Sequence, residues 1–217
     1  MHYPRKMFNM GSIGFPEVKL TEIAKLANLK ILSLFLCNLD KTGPNSILEL
    51  MGFLPQLQEL DLNFRNCELT EDGATKRFPT TSPCLRTLKL SIIDLGNGIE
   101  LSYAFQMITS FPNLQTLEIT ASYQDAAPIP GIYSSEVDYN TTWLLQLRSV
   151  VFKNSKGSEN EVCLIKYLLA YSPFLKKFVI CLHSRLHSHL LCDEKFMFST
   201  TLLKLHRASP VVDIHLY

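Results

Sequence analysis

This sequence has no apolar run approaching the roughly 18 to 20 residues that a membrane-spanning helix needs, so no membrane partner is expected. It also lacks a secretory signal: "MHYPRKMFNMGSIGFPEVKL" at the N-terminus has basic residues with no apolar stretch behind them. The six cysteines at 37, 67, 84, 163, 181 and 192 include no two separated by only two residues, which excludes redox pairs and zinc ribbons. The expected setting is therefore the cytoplasm and/or the nucleus, with reduced thiols. In that setting the sequon Asn140-Thr141-Thr142 carries little weight.

Catalytic signatures are missing too. There is no G-x-S-x-G and no glycine-rich loop between a strand and a helix, and nothing sets a base beside a nucleophile. Gly96-Asn97-Gly98 reads as a turn. The chain is expected not to be an enzyme and to need no cofactor. Excess charge of one sign is absent as well: 21 Lys and Arg face 20 Asp and Glu, which leaves no electrostatic footprint for nucleic acid. What is present is a globular composition, 47% hydrophobic and 19% charged over 217 residues, enough chain to bury a core.

The apolar residues recur with a period. "LKILSL" begins at 29, "LQELDL" at 57, "LRTLKL" at 85, "LQTLEI" at 114, "LRSVVF" at 147, "LKKFVI" at 175 and a weaker "VVDIHL" at 211. The steps are 28, 28, 29, 33, 28 and 36 residues, mostly within the period of leucine-rich repeats. In LxxLxL the last two apolar positions lie two apart and point to one face of a short strand, while the first leucine turns inward ahead of it. Stacked in parallel, such strands bury a leucine column that no single repeat can bury alone. The expected fold is α/β, a leucine-rich-repeat solenoid with a parallel β-sheet on its concave face and helices on its convex face. Cys37 and Leu39 extend the first repeat into its turn, and Cys67 and Leu69 echo them in the second.

Helical spacing falls between the strands. Pro44 precedes Ile47, Leu50, Met51 and Leu54, and residues 99–110 carry Leu101, Phe105 and Ile108 before Pro112. Ser158 and Glu161 have capping-box spacing ahead of Val162, Ile165, Leu168 and Leu169. Leu20, Ile23, Ala24 and Ala27 behind Pro16 suggest a first convex helix, and 67–83, with Gly73, Pro79 and Pro83, an irregular segment. Residues 120–142 read as a surface loop, and 181–195 as the connection that lengthens the last step.

The C-terminal third carries a more specific pattern. "LRSVVFKNSKGSENEVCLIKYLLAYSPFLKKFVI" at 147–180, followed by "LLKLHRASPVVDIHLY" at 202–217, resembles the FBD region of plant F-box proteins. In that family a strand, a Glu-led helix ending in LLxxSPxLKK, a second strand and a terminal RASP segment recur together. Here the matching positions are Glu161, Leu168, Leu169, Ser172, Pro173, Leu175 and Lys176, then Arg207 to Pro210. With the repeats in front, residues 26–217 resemble an F-box/FBD/LRR-repeat protein, and the resemblance implies a module that recognises a protein target for an SCF-type ubiquitin ligase. Residues 1–25 form an N-terminal segment with the first convex helix and do not resemble an F-box. Residues 26–146 are leucine-rich repeats, and 147–217 are FBD-like C-terminal repeats. An SCF adaptor is therefore expected as a partner only if an F-box lies upstream. The alternative is a free-standing repeat scaffold that competes with full-length relatives.

The strand residues between the leucines line the concave face. Phe35, Asp61, Lys89, Glu118, Lys153, Lys177 and Tyr217 are the candidate partner-binding residues, a mixed-charge face with an aromatic residue at either end, suited to a protein rather than a polyanion. The densest set of ligand-type side chains is Cys181, His183, His187, His189 and Cys192. Its spacing fits no common zinc pattern and a polar loop accounts for it equally well, so no metal site is assigned.

Overall fold

The computed structural model describes residues 6–10, 23–26, 28–36, 50–65, 67, 82–123, 144–183 and 192–217; for 6–10, Cys192 and Glu194 only the backbone is described. Eight strands make one sheet: β1 (Lys6–Met10), β2 (Ile31–Leu36), β3 (Glu59–Asn63), β4 (Thr87–Asp94), β5 (Thr116–Ser122), β6 (Ser149–Ser155), β7 (Lys177–Leu182) and β8 (Asp213–Leu216). They lie in sequence order and every neighbouring pair is parallel. Helix α1 (Gly98–Thr109) connects β4 to β5, α2 (Glu159–Tyr171) connects β6 to β7, and α3 (Cys192–Lys204) connects β7 to β8. This α/β arrangement, one strand per repeat, is compatible with a leucine-rich-repeat-like fold.

The leucine spacing explains the register. Leu60 and Leu62, Leu88 and Leu90, Leu117 and Ile119, Val150 and Phe152, and Phe178 and Ile180 are all fully buried on one side of the sheet. Each column continues its neighbour: Leu60 pairs Leu88, Leu88 pairs Leu117, and Leu117 pairs Val150. The first leucine of each of the first six motifs is buried as well, from Leu29 through Leu57, Leu85, Leu114, Leu147 and Leu175, whereas Val211, which opens the weaker seventh, is exposed. A tight turn puts it there, its N–H donating to the carbonyl three residues back, as Leu57 does to Leu54 at 3.1 Å and Leu147 to Leu144 at 3.1 Å. Burying one such side chain stabilises the fold by roughly 1.5–3 kcal/mol.

Ahead of each strand from β2 to β6, one carbonyl accepts two amides from the next repeat. Lys30 O receives Gln58 N and Glu59 N, Gln58 O receives Arg86 N and Thr87 N, and Arg86 O receives Gln115 N and Thr116 N. Gln115 O and Arg148 O repeat the arrangement with Arg148 and Ser149, and with Lys176 and Lys177.

The helices pack on the leucine side. Tyr103, Ala104, Met107 and Ile108 of α1 and Leu164, Ile165, Leu168 and Leu169 of α2 belong to the same buried cluster as the strand leucines. Expected helical positions Leu50, Met51 and Leu54 are buried, and residues 50–52 are helical; Ile47 lies outside the described residues, as do 68–81 of the expected irregular segment 67–83, Cys37, Leu39 and 124–142 of the expected loop 120–142.

Two elements were not anticipated. β1, "KMFNM", has no leucine motif, yet it pairs with β2, Lys6 against Leu32. The expected connection 181–195 is shorter than its span, because Cys192 already opens α3.

Candidate functional site

With the leucines on one side, alternation sends the intervening residues to the other. This open face of the sheet is organised in rows set by the register. One row runs Ser33, Asp61, Lys89, Glu118, Val151, Val179 and His215. Beside it lies Ile31, Glu59, Thr87, Thr116, Ser149, Lys177 and Asp213. On the other flank stand Phe35, Asn63, Ser91, Thr120, Lys153 and Cys181. Tyr217 follows β8 next to Cys181, tied by Leu182 N–H donating to Tyr217 O at 2.8 Å.

Charges on this face are paired diagonally. Lys89 stands directly beside Glu118 in the register, but its ammonium donates to Glu59 on the preceding strand, Nζ to Oε1 at 2.6 Å. Glu118 instead accepts from Lys153 at 2.5 Å. Ser91 donates to Asp61 at 3.3 Å. At the far end His215 Nε2 lies 2.9 Å from Asp213 Oδ2, and its ring stacks on Tyr217, centroids 6.0 Å apart. Half-exposed pairs of this kind are worth roughly 0–1 kcal/mol each, so they shape the surface more than they hold it together.

All seven candidate residues thus lie on one face, but not at one point. Asp61, Lys89 and Glu118 are consecutive in one row, and Lys153 joins them through Glu118. Phe35 and Tyr217 belong to strands six steps apart, roughly 29 Å at the spacing of neighbouring strands, so no single side chain of a partner touches both. Ser33 departs from the expected exposure: it is buried, and its hydroxyl has no hydrogen-bond partner among the described residues. Glu59 is not among the seven candidates, and its pairing with Lys89 is invisible to spacing because diagonal reach depends on rotamer. Cys181 and His183 are half-buried; His187 and His189 lie outside the described residues, and so does the Cys192 side chain. Among the described residues no three His, Cys, Asp or Glu converge as a metal site.

The strand-to-helix loops carry two buried carboxylates. Near the end of β6, Asn154 has φ of 64° and the register slips by one residue before Ser155. Glu161, at the third position of α2 and fully buried, then accepts from Ser155 Oγ at 2.9 Å and from the amides of Lys156, Gly157 and Ser158 at 3.1, 2.6 and 3.1 Å. The Tyr123 hydroxyl also donates to it, and Ser158 completes the capping box. Burial, followed by the Glu161 charge, holds the Tyr123 phenol above the ordinary tyrosine range, while the Lys156 ammonium sits 3.9 Å from the centre of its ring. Two residues before the end of β4, Ile92 has φ of 60° and the register slips in the same way. Glu100, at the third position of α1, receives one amide, Asp94 N–H at 2.6 Å. Burial pushes its carboxyl up to about 7; the Asp94 amide opposes that and the Asp94 charge adds to it.

Over 203 residues the chain is 25% identical to an F-box/FBD/LRR-repeat protein of Arabidopsis thaliana, an alignment covering 90% of this chain and 47% of the relative. That identity supports a distant relationship to this family. The chain spans about half the length of the relative it matches. No protein-family model matches the chain, and no solved structure matches it. Among the described residues no helix is long and apolar enough to cross a membrane.

Proposed function

We propose that this chain is a leucine-rich-repeat solenoid that binds a protein target on the open face of its sheet, without catalysis. The observation that carries the reading is the set of three unbroken side-chain rows, from Phe35 to Tyr217, held in strict register on the face opposite the core. Loops vary in length behind that face, while the face itself keeps a constant step, which is the property a recognition surface needs. The distant relative carries an F-box in its name, and on that basis the target-recognition half of an SCF-type ubiquitin ligase receptor is the role we assign. The described cysteines Cys84, Cys163 and Cys181 form no disulfide, and the cytoplasm or the nucleus is the setting we propose.

Site-specific photo-crosslinking tests the reading. A photoreactive residue at Thr116, in the middle of the open face, is expected to give discrete protein adducts in cells, and one at Lys166, exposed on α2, is not. Equal labelling from both positions, or none from Thr116, refutes it. For the ligase role, adaptor recovered with the native polypeptide supports the assignment; a native polypeptide that captures its target and never the adaptor leaves a free-standing scaffold.

A further inference from the structure

The open face is divided in chemistry. Residues 1–146 hold eleven Lys and Arg against fifteen Asp and Glu, and 147–217 hold ten against five. Between β3 and β5 the face is polar and internally compensated, with Glu59 on Lys89, Asp61 on Ser91, and Thr87, Thr116 and Thr120 between them. Across β6 and β7 it changes. Val151 and Val179 are register partners, half-buried side by side on the solvent face, a poor place for two apolar side chains unless something covers them.

Two exposed lysines bracket that pair. Lys153 lies two residues beyond Val151 on β6, and Lys177 two residues before Val179 on β7, with Lys177 level with Ser149. The lysines are therefore four residues apart along the strands and one strand apart across them, about 14 Å between Cα atoms by strand rise and spacing. Lys177 has no ion pair among the described residues. Lys153 gives one hydrogen bond to Glu118, and an ammonium has three to give. The other nearby carboxylate, Asp213, has its Oδ2 2.9 Å from His215 Nε2.

An extended chain places side chains four residues apart on one side, about 13 Å from each other, with the intermediate one between them. That spacing matches the two lysines and the valine pair. We infer that the β6–β7 part of the open face recognises an extended protein segment of the pattern carboxylate-x-apolar-x-carboxylate. Its apolar side chain covers Val151 and Val179, and its carboxylates meet Lys153 and Lys177. The inference rests on the open face being the protein-binding one, and it adds what the partner presents there. A nucleic acid strand has phosphates to offer the lysines but nothing larger than a thymine methyl as an aliphatic cover for the valines.

The test uses the full 217-residue chain and a fluorescein-labelled twelve-residue peptide containing Glu-Ser-Leu-Ser-Glu in a Gly/Ser background, read by anisotropy at low ionic strength. The acidic peptide is expected to bind at least tenfold tighter than its Lys-Ser-Leu-Ser-Lys counterpart. The double variant Lys153→Glu/Lys177→Glu should invert that order, and Val179→Asp should abolish binding, with melting temperatures within a few degrees of the parent. Equal affinity for both peptides, an order unchanged by the double reversal, or tighter binding of a ten-nucleotide oligouridylate overturns the inference. Binding that ignores the lysine reversals but is lost with Thr116→Arg overturns the inference and leaves the open-face reading intact.

Discussion

The passages from β4 into α1 and from β6 into α2 are built on one plan and finished differently. Each has a left-handed residue at the end of the strand, a one-residue slip in register, a capping side chain, and a buried glutamate at the third helical position. In the second passage the plan is complete: asparagine takes the left-handed backbone, and the glutamate meets three amides and two hydroxyls. In the first, a β-branched isoleucine takes that backbone, and one amide faces the glutamate. A buried carboxylate with five donors is a structural rivet, whereas one with a single donor is more easily kept protonated.

Removing the rivet should have the largest effect. Glu161→Ala leaves Lys156, Gly157 and Ser158 amides and the Ser155 and Tyr123 hydroxyls without their shared acceptor. An expected loss of roughly 3–5 kcal/mol follows from the cost of buried unpaired groups, measurable by urea denaturation.

Glu100 should respond in the opposite sense. Its folded pKa of about 7 lies above the ordinary carboxylate value of 4.5, so the folded state holds the proton more tightly than the unfolded chain. This favours folding fully below about pH 4.5, and the contribution is lost as pH rises through about 7. Glu100→Gln should therefore flatten the pH dependence of melting in that window and stabilise the chain above it, by something on the order of 3 kcal/mol. A variant whose melting curve tracks the parent at every pH removes the distinction between the two glutamates.

The loop glycines give a smaller contrast. A Cβ on Gly157, whose φ is +73°, would lie 2.8 Å from the Phe198 ring of α3, so Gly157→Ala should cost about 1–3 kcal/mol. Gly96 meets only Asp94 Oδ1 at 3.1 Å, and Gly96→Ala should change stability by less than about 1 kcal/mol. Smallest is the exchange of the left-handed residues. Ile92→Asn should stabilise by up to about 1 kcal/mol. Asn154→Ile should cost rather more, since it also removes the 2.8 Å bond from Asn154 Nδ2 to Ala121 O. Equal shifts from the two substitutions mean that backbone strain does not separate the passages.

Much of the sheet was legible because its information is periodic. A leucine every second residue fixes which side of a strand is buried, and motifs separated by 28 residues fix which strands are neighbours, so the rows through Asp61, Lys89 and Glu118 follow from counting. Ser158 and Glu161 announced their helix by capping spacing. What stayed hidden depends on three-dimensional context. β1 pairs through its backbone, and "KMFNM" carries no leucine code. Helix α3 leaves Phe196, Met197 and Leu203 exposed, so its apolar residues do not form one inward stripe. Lys89 chose between two glutamates by reach. Glu100 looks like any acidic residue in a first helical turn until its burial is known.

The carbonyls that each take two amides have a consequence for how such a chain can change over time. The return from β3 to β4 takes 28 residues, Glu59 to Thr87, and the return from β5 to β6 takes 33, Thr116 to Ser149, yet both pairs sit level. The step of the sheet is set by where Gln58 O and Gln115 O catch the incoming strand, and the length of chain that travels between does not enter. Insertions and deletions on the return path are therefore nearly neutral to the recognition face. Connections outside the helices can therefore change length with little effect on that face, while a residue inserted inside a strand turns over the side chains that follow it in that strand.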